Sequence, residues 1–198
     1  MSGPKYKNVA MALQGGGSHG AFTWGVLDRL LEEEAFVAEA MCGTSAGAIN
    51  AVTCAYGLHV GGPQKAKELL EKLWQKIAVS GSFMFKPGPF DQADGTGAIY
   101  NSPGYIMFNA ITQVLSPYNF NPFNYNPLRD ILNDLIDFEE LHRYHKKKLF
   151  VCATNVKTNR AKIFDNKEIT VDAVLASACL PFLFQAVEID GEYYWDGG

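Results

Sequence analysis

Two glycine-rich turns near the start of the chain restrict its architecture more than any other feature. The first, "QGGGSHG" (14–20), follows the short apolar run "NVAMAL" (8–13). It opens "GAFTWGVLDRLLEEE" (20–34), where Phe22, Val26, Leu27, Leu30 and Leu31 recur at helical spacing. The second, "GTSAG" (43–47), follows "AEAMC" (38–42) and leads into a small-residue apolar helix that reaches Leu58. The first sixty residues therefore read strand, turn, helix, strand, turn, helix. Neighbouring parallel strands need a helical crossover, so this alternation predicts an α/β fold with a parallel sheet.

Each turn admits more than one chemistry. Gly15, Gly17 and Gly20 spell G-x-G-x-x-G behind a strand, and Glu39 lies about twenty residues on, the arrangement of a dinucleotide-binding turn with an acidic ribose ligand. The same loop, with three consecutive glycines at Gly15, Gly16 and Gly17, also suits an oxyanion hole, in which bare backbone amides face a developing negative oxygen. "GTSAG" is G-x-S-x-G between a strand and a helix, the context of a nucleophile elbow. Gly43 and Gly47 allow the tight turn, and Ser45 then projects from the strand end beside a helix N-terminus. Dinucleotide binding needs no such serine, whereas an acyl hydrolase uses both features.

A nucleophilic serine needs a base. The histidines are His19, His59, His142 and His145, and none follows an acid late in the chain, as the base of an α/β-hydrolase triad would. His19 lies inside the glycine loop and is a candidate substrate contact. His59 is expected to end a helix, and His142 and His145 to be solvated on the polar segment "FEELHRYHKK". Among the carboxylates Asp196 stands out. It follows the aromatic strand "EYYW" and precedes Gly197 and Gly198, a position from which it can accept a proton from Ser45 at hydrogen-bond distance.

The order G-G-G-x-x-G, G-T-S-A-G and D-G-G, spanning Gly15 to Gly198, resembles the patatin-like phospholipase family. "ASACLPFLF" (176–184) is similar to the small-residue and proline segment that the family carries before its aspartate. The resemblance implies a three-layer α/β/α sandwich with a mainly parallel central sheet. It also implies hydrolysis of acyl esters in phospholipids and related lipids by a Ser–Asp dyad without histidine or cofactor. By position, Ser45 takes the nucleophile's place, Asp196 the base's, and Gly15, Gly16 and Gly17 the oxyanion loop's. Where the family often has Arg or Lys, this chain has His19. Two other readings stand beside this one: an NAD(P)-dependent oxidoreductase built on Gly15, Gly17, Gly20 and Glu39, and a lipid-binding module without turnover.

Composition supports a single domain over residues 1–198. A net charge of −4 carries no nucleic-acid footprint. Cys42, Cys54, Cys152 and Cys179 form no metal-ligand spacing, and each lies in an apolar stretch where a free thiol packs as a small hydrophobe. A cytoplasmic setting is expected, with any membrane contact peripheral, since no apolar run reaches spanning length. The chain stops directly after a strand, which suggests a domain cut from a longer protein.

Further along, "GPQKAKELLEKLWQKIAV" (62–79) reads as an amphipathic helix with Pro63 in its first turn. Residues 80–127 hold six of the nine prolines and many aromatics. They read as an irregular insertion broken by a helix at 105–115, and are a candidate lid or acyl-chain wall. Helices are expected at 127–136 and 170–184, the latter ended by Pro181, strands at 148–156 and 160–165, and a hairpin at 186–198 turning on Asp190-Gly191.

Overall fold

The computed structural model describes residues 7–33, 36–84, 116–144 and 146–198. Strand β1 (Lys7–Leu13) leads through the glycine loop and a single 3-10 turn (Gly17–His19) into helix α1 (Gly20–Leu30). Strand β2 (Phe36–Thr44) follows, then helix α2 (Ala46–Met84). Gly62, at φ 73° and ψ −163°, divides α2 into two arms, with Pro63 opening the second. The two helices expected on either side of Gly62 thus run end to end. The expected helix at 105–115 lies outside the described residues.

Three short helices come next: α3 (Pro117–Phe120), α4 (Pro127–Leu135) and α5 (Phe138–His142). Ser116, Asn126 and Asp137 cap them, each side chain accepting a backbone N–H of the first turn. Strands β3 (Lys148–Asn155) and β4 (Ala161–Phe164) form an antiparallel hairpin. Helix α6 (Val171–Ser177) and the hairpin β5 (Val187–Ile189) and β6 (Glu192–Asp196) complete the chain. Asp190 and Gly191 both have positive φ, at 52° and 79°, which a two-residue hairpin turn requires.

The three leading strands pair in parallel, β1 with β2 and β2 with β3, as the alternation predicted. The later strands join antiparallel. Leu149, Val151 and Ala153 of β3 point to one face and are fully buried. On that face lie Ala48, Ala51, Val52 and Ala55 of α2 and Ala173 to Ala176 of α6, also buried. Small side chains let α2 approach the sheet closely. A Cβ on Gly47 would stand 2.1 Å from the carbonyl oxygen of Leu13, so only glycine fits there.

Several local expectations are corrected. On α1, Leu27 is buried but Phe22 and Val26 are exposed, because Gly20, rather than the apolar stripe as a whole, makes the closest approach to Ala46 and Trp74. The segment around α5 is not wholly solvated, since Leu141 and Tyr144 are buried and His142 Nε2 lies 2.8 Å from the Ile169 carbonyl. His145 is outside the described residues. Cys54 and Cys179 are buried as expected, whereas Cys42 is exposed.

Candidate active site

Sheet register brings the distant parts of the chain together. Cys152 of β3 pairs with Thr44 of β2 and with Ile163 of β4, so β2 and β4 flank opposite edges of β3. Ala153, one residue on, pairs with Asp196 of β6 and with Lys162 of β4. Strand β6 therefore occupies the same edge of β3 as β2 and ends where β2 stops. The two strands meet head to head, and their last residues, Thr44 and Asp196, oppose consecutive residues of β3. A Cβ on Gly197 would stand 3.0 Å from Thr44 Cγ2. Residues 151 positions apart in sequence, Ser45 and Asp196, thus leave the sheet at one point.

Ser45 sits on the sharp turn between β2 and α2 with φ 56°, a left-handed conformation that a non-glycine residue holds only where its surroundings impose it. Its carbonyl accepts the amides of Ala48 and Ile49 in the first turn of α2, at 3.0 and 3.2 Å. Its own amide is shared between the Ser177 carbonyl at 3.1 Å and the Ser177 Oγ at 3.0 Å. Two residues further on, the Cys179 carbonyl accepts the Asp196 amide at 2.8 Å. One segment at the end of α6 therefore holds the backbones of both Ser45 and Asp196. This explains why α6 ends at Ser177, well before Pro181: the carbonyls of Ser177 and Cys179 are turned out of the helix toward these partners. Ser177 is fully buried, and sequence reasoning did not single it out.

Among the described residues the Ser45 hydroxyl makes no hydrogen bond, and none joins it to Asp196. Asp196 Oδ1 accepts the Gly198 amide at 2.8 Å, while its Oδ2 has no partner among the described residues. Burial, reinforced by the Asp196 carboxylate, pushes the Cys179 thiol up to about 11. That keeps the thiol neutral beside Asp196.

The glycine loop passes over the same point. A Cβ on Gly15 would stand 3.2 Å from Ser45 Cβ and 2.8 Å from the Thr44 carbonyl oxygen. Gly16 and Gly17 have φ of 111° and 59°. The amides of Gly15 and Gly16 donate to no other described residue. His19 is exposed and folds back on the loop, its Nδ1 3.0 Å from the Gly16 carbonyl. Gly20 packs on Ala46, and Gly43 packs on Gly47 across the elbow. Glu39 is elsewhere. Val9 pairs with Ala38 and Ala10 with Ala40, so Glu39 is the extra residue of a bulge in the first half of β2. The acid of a dinucleotide site belongs at the carboxyl ends of the strands, and the oxidoreductase reading fails on that register.

The sequence matches the family described as patatin-like phospholipase over residues 11–198. The chain belongs to the patatin-like phospholipase family. The domain is therefore of the lipid acyl hydrolase type. Among solved structures, VipD from Legionella pneumophila is similar over 98% of this chain and 46% of that one, at 18% identity and a TM-score of 0.48. The heterodimeric ExoU–SpcU complex from the type III secretion system of Pseudomonas aeruginosa is similar over 88% of this chain and 36% of that one, at 19% identity and a TM-score of 0.42. This chain thus spans less than half the length of either of those chains. A search of curated proteins returns no match. No helix among the described residues is long and apolar enough to cross a membrane.

Proposed function

We propose that this patatin-like domain hydrolyses acyl esters of phospholipids or related lipids, with Ser45 as nucleophile and Asp196 as its base. The observation that carries the reading is the head-to-head meeting of β2 and β6 on one edge of β3, where Thr44, just before Ser45, and Asp196 oppose consecutive residues of β3. Oδ2 of Asp196, without a partner among the described residues, takes the hydroxyl proton as Ser45 Oγ bonds to the ester carbonyl carbon. Catalytic hydrogen bonds often tighten only when substrate arrives, and the scheme needs this one in the substrate complex.

The carbonyl oxygen becomes an oxyanion next to the glycine loop, where the amides of Gly15 and Gly16, which donate to no other described residue, and that of Gly17 donate to it. The N-terminus of α2 adds positive potential at the same place. Asp196 returns its proton to the departing alcohol, leaving an acyl-enzyme. Water, deprotonated by the same carboxylate, then releases the fatty acid. His19, exposed on the same loop, is the candidate substrate contact. Nothing in this scheme calls on a metal or an organic cofactor. Peripheral contact with a membrane follows from a lipid substrate.

The test is fatty-acid release from mixed phospholipid–detergent micelles. Ser45→Ala and Asp196→Asn should each lower kcat by about a thousandfold or more while circular dichroism stays unchanged. Turnover by Ser45→Ala within tenfold of the unaltered protein would contradict the scheme.

A further inference from the structure

A second feature lies beside this site and has no part in the chemistry. Tyr118, Phe123, Tyr125, Phe182 and Tyr193 are all exposed, Phe123 to 94%. Three separate segments contribute them, and hydrogen bonds tie those segments together. Gln185 Nε2 donates to the Asn121 carbonyl at 2.9 Å. Cys179 Sγ lies 3.2 Å from the Gln185 carbonyl, and the Cys179 carbonyl holds Asp196. Tyr118 lies within electrostatic reach of Tyr193. The aromatic surface is thus continuous with the frame of the candidate active site.

These side chains are held out on a braced loop. Asn121 and Tyr125 bond each other twice: Asn121 Nδ2 donates to the Tyr125 carbonyl at 3.0 Å, and the Tyr125 N–H donates to Asn121 Oδ1 at 2.9 Å. Phe123 is at the tip of that closed loop. Residues 116–128, "SPYNFNPFNYNPL", contain no charged residue, and neither do residues 178–187, "ACLPFLFQAV". In a chain that is 19% charged, two such stretches converging on one surface need a cause. Uncharged aromatic side chains mixed with amides suit a lipid–water interface, where rings enter the acyl boundary and polar groups stay with the headgroups.

We propose that Tyr118, Phe123, Tyr125, Phe182 and Tyr193 form a docking surface for a zwitterionic phospholipid interface, a proposal that rests on the reading of Ser45 as a lipid-ester site. The charge balance selects the lipid. Glu188, Asp190 and Glu192 on the adjoining hairpin are exposed, Lys157 and Arg160 on the β3–β4 turn offset two of them, and the whole chain carries −4. Nothing there draws an anionic surface, so apolar burial supplies the affinity.

The experiment is co-sedimentation of the full chain with phosphatidylcholine vesicles, using Ser45→Ala protein so that turnover plays no part. Combining Phe123→Ser and Tyr125→Ser should lower vesicle partitioning by about tenfold or more, and adding Phe182→Ser should lower it further. Val60→Ala, which removes an exposed apolar side chain in the first arm of α2, should leave it unchanged. Anionic phosphatidylglycerol vesicles should bind no better than zwitterionic ones. In parallel, the same aromatic variants carrying an intact Ser45 should hydrolyse a soluble short-chain ester as the unaltered protein does. Loss of that hydrolysis in the unaltered protein would count against the reading of Ser45 alone, while the partitioning result stands by itself. Unchanged partitioning in the aromatic variants would overturn the docking surface. So would a clear preference for anionic vesicles, or a dimer that the variants dissociate without any vesicle binding.

Discussion

At the scale of single residues, the site depends on side chains that hold others in place. Ser45 keeps its left-handed backbone because its amide is gripped by Ser177 and its carbonyl by α2. Ser177→Ala removes the Oγ acceptor and leaves the carbonyl acceptor. A stability loss of about 1 kcal/mol is expected. A fall in kcat of roughly tenfold with little change in KM is expected too, because the nucleophile rather than the substrate pocket is disturbed. Urea titration and steady-state kinetics measure the two separately. A KM effect at constant kcat would mean that Ser177 acts on substrate binding instead. The turn at Ser45 and the strand end at Asp196 were legible in the sequence because glycines flank the one and follow the other. Ser177 was not, because its part depends on a contact 132 residues away, and no local pattern records such a partner.

At the scale of elements, one buried polar link joins α1 to both arms of α2. Asn50 Nδ2 donates to the Gly20 carbonyl at 2.9 Å, and Trp74 Nε1 donates to Asn50 Oδ1 at 2.9 Å. Asn50 is fully buried, so Asn50→Ala strands a buried carbonyl and a buried indole N–H. A loss of about 2–4 kcal/mol in unfolding free energy is expected. Gly47→Ala should cost about 3 kcal/mol or more, since its Cβ has no room against β1. Denaturant midpoints measure both, and changes under 1 kcal/mol would contradict the packing described. The elements themselves were largely readable, because periodicity and turn residues are local signals. The break at Gly62, with Pro63 behind it, and the Asp190-Gly191 turn follow directly from residue chemistry. The early end of α6 and the exposure of Phe22 and Val26 did not, because tertiary partners decide which carbonyls leave a helix and which face of α1 is covered. Above all, the meeting of β2 and β6 is a non-local antiparallel return that no window of sequence contains.

At the scale of the whole molecule, buried weak acids set the alkaline limit of stability. Burial pushes the Cys54 thiol up to about 12 and the Tyr144 hydroxyl up to about 12, and Cys179 lies near 11. In the unfolded chain a thiol ionises near pH 8.5 and a phenol near 10, by ordinary reference values of roughly those sizes. Between those limits the unfolded state has released protons that the folded state still holds, so stability falls as pH rises. Lys147, whose ammonium burial disfavours, runs the other way and offsets part of the slope. The urea midpoint is therefore expected to fall between pH 8 and pH 11, less steeply in Cys54→Ala, and a flat profile would contradict the burial of these groups. The proposed chemistry has an acid from the last strand activate the serine at the end of the second. Reaction with a fluorophosphonate ester, followed by intact mass and peptide mapping, tests it most directly. One adduct per chain is expected, on Ser45, formed at least about a hundredfold more slowly in Asp196→Asn. An adduct on another residue, or equal rates with and without the Asp196 carboxylate, would contradict it.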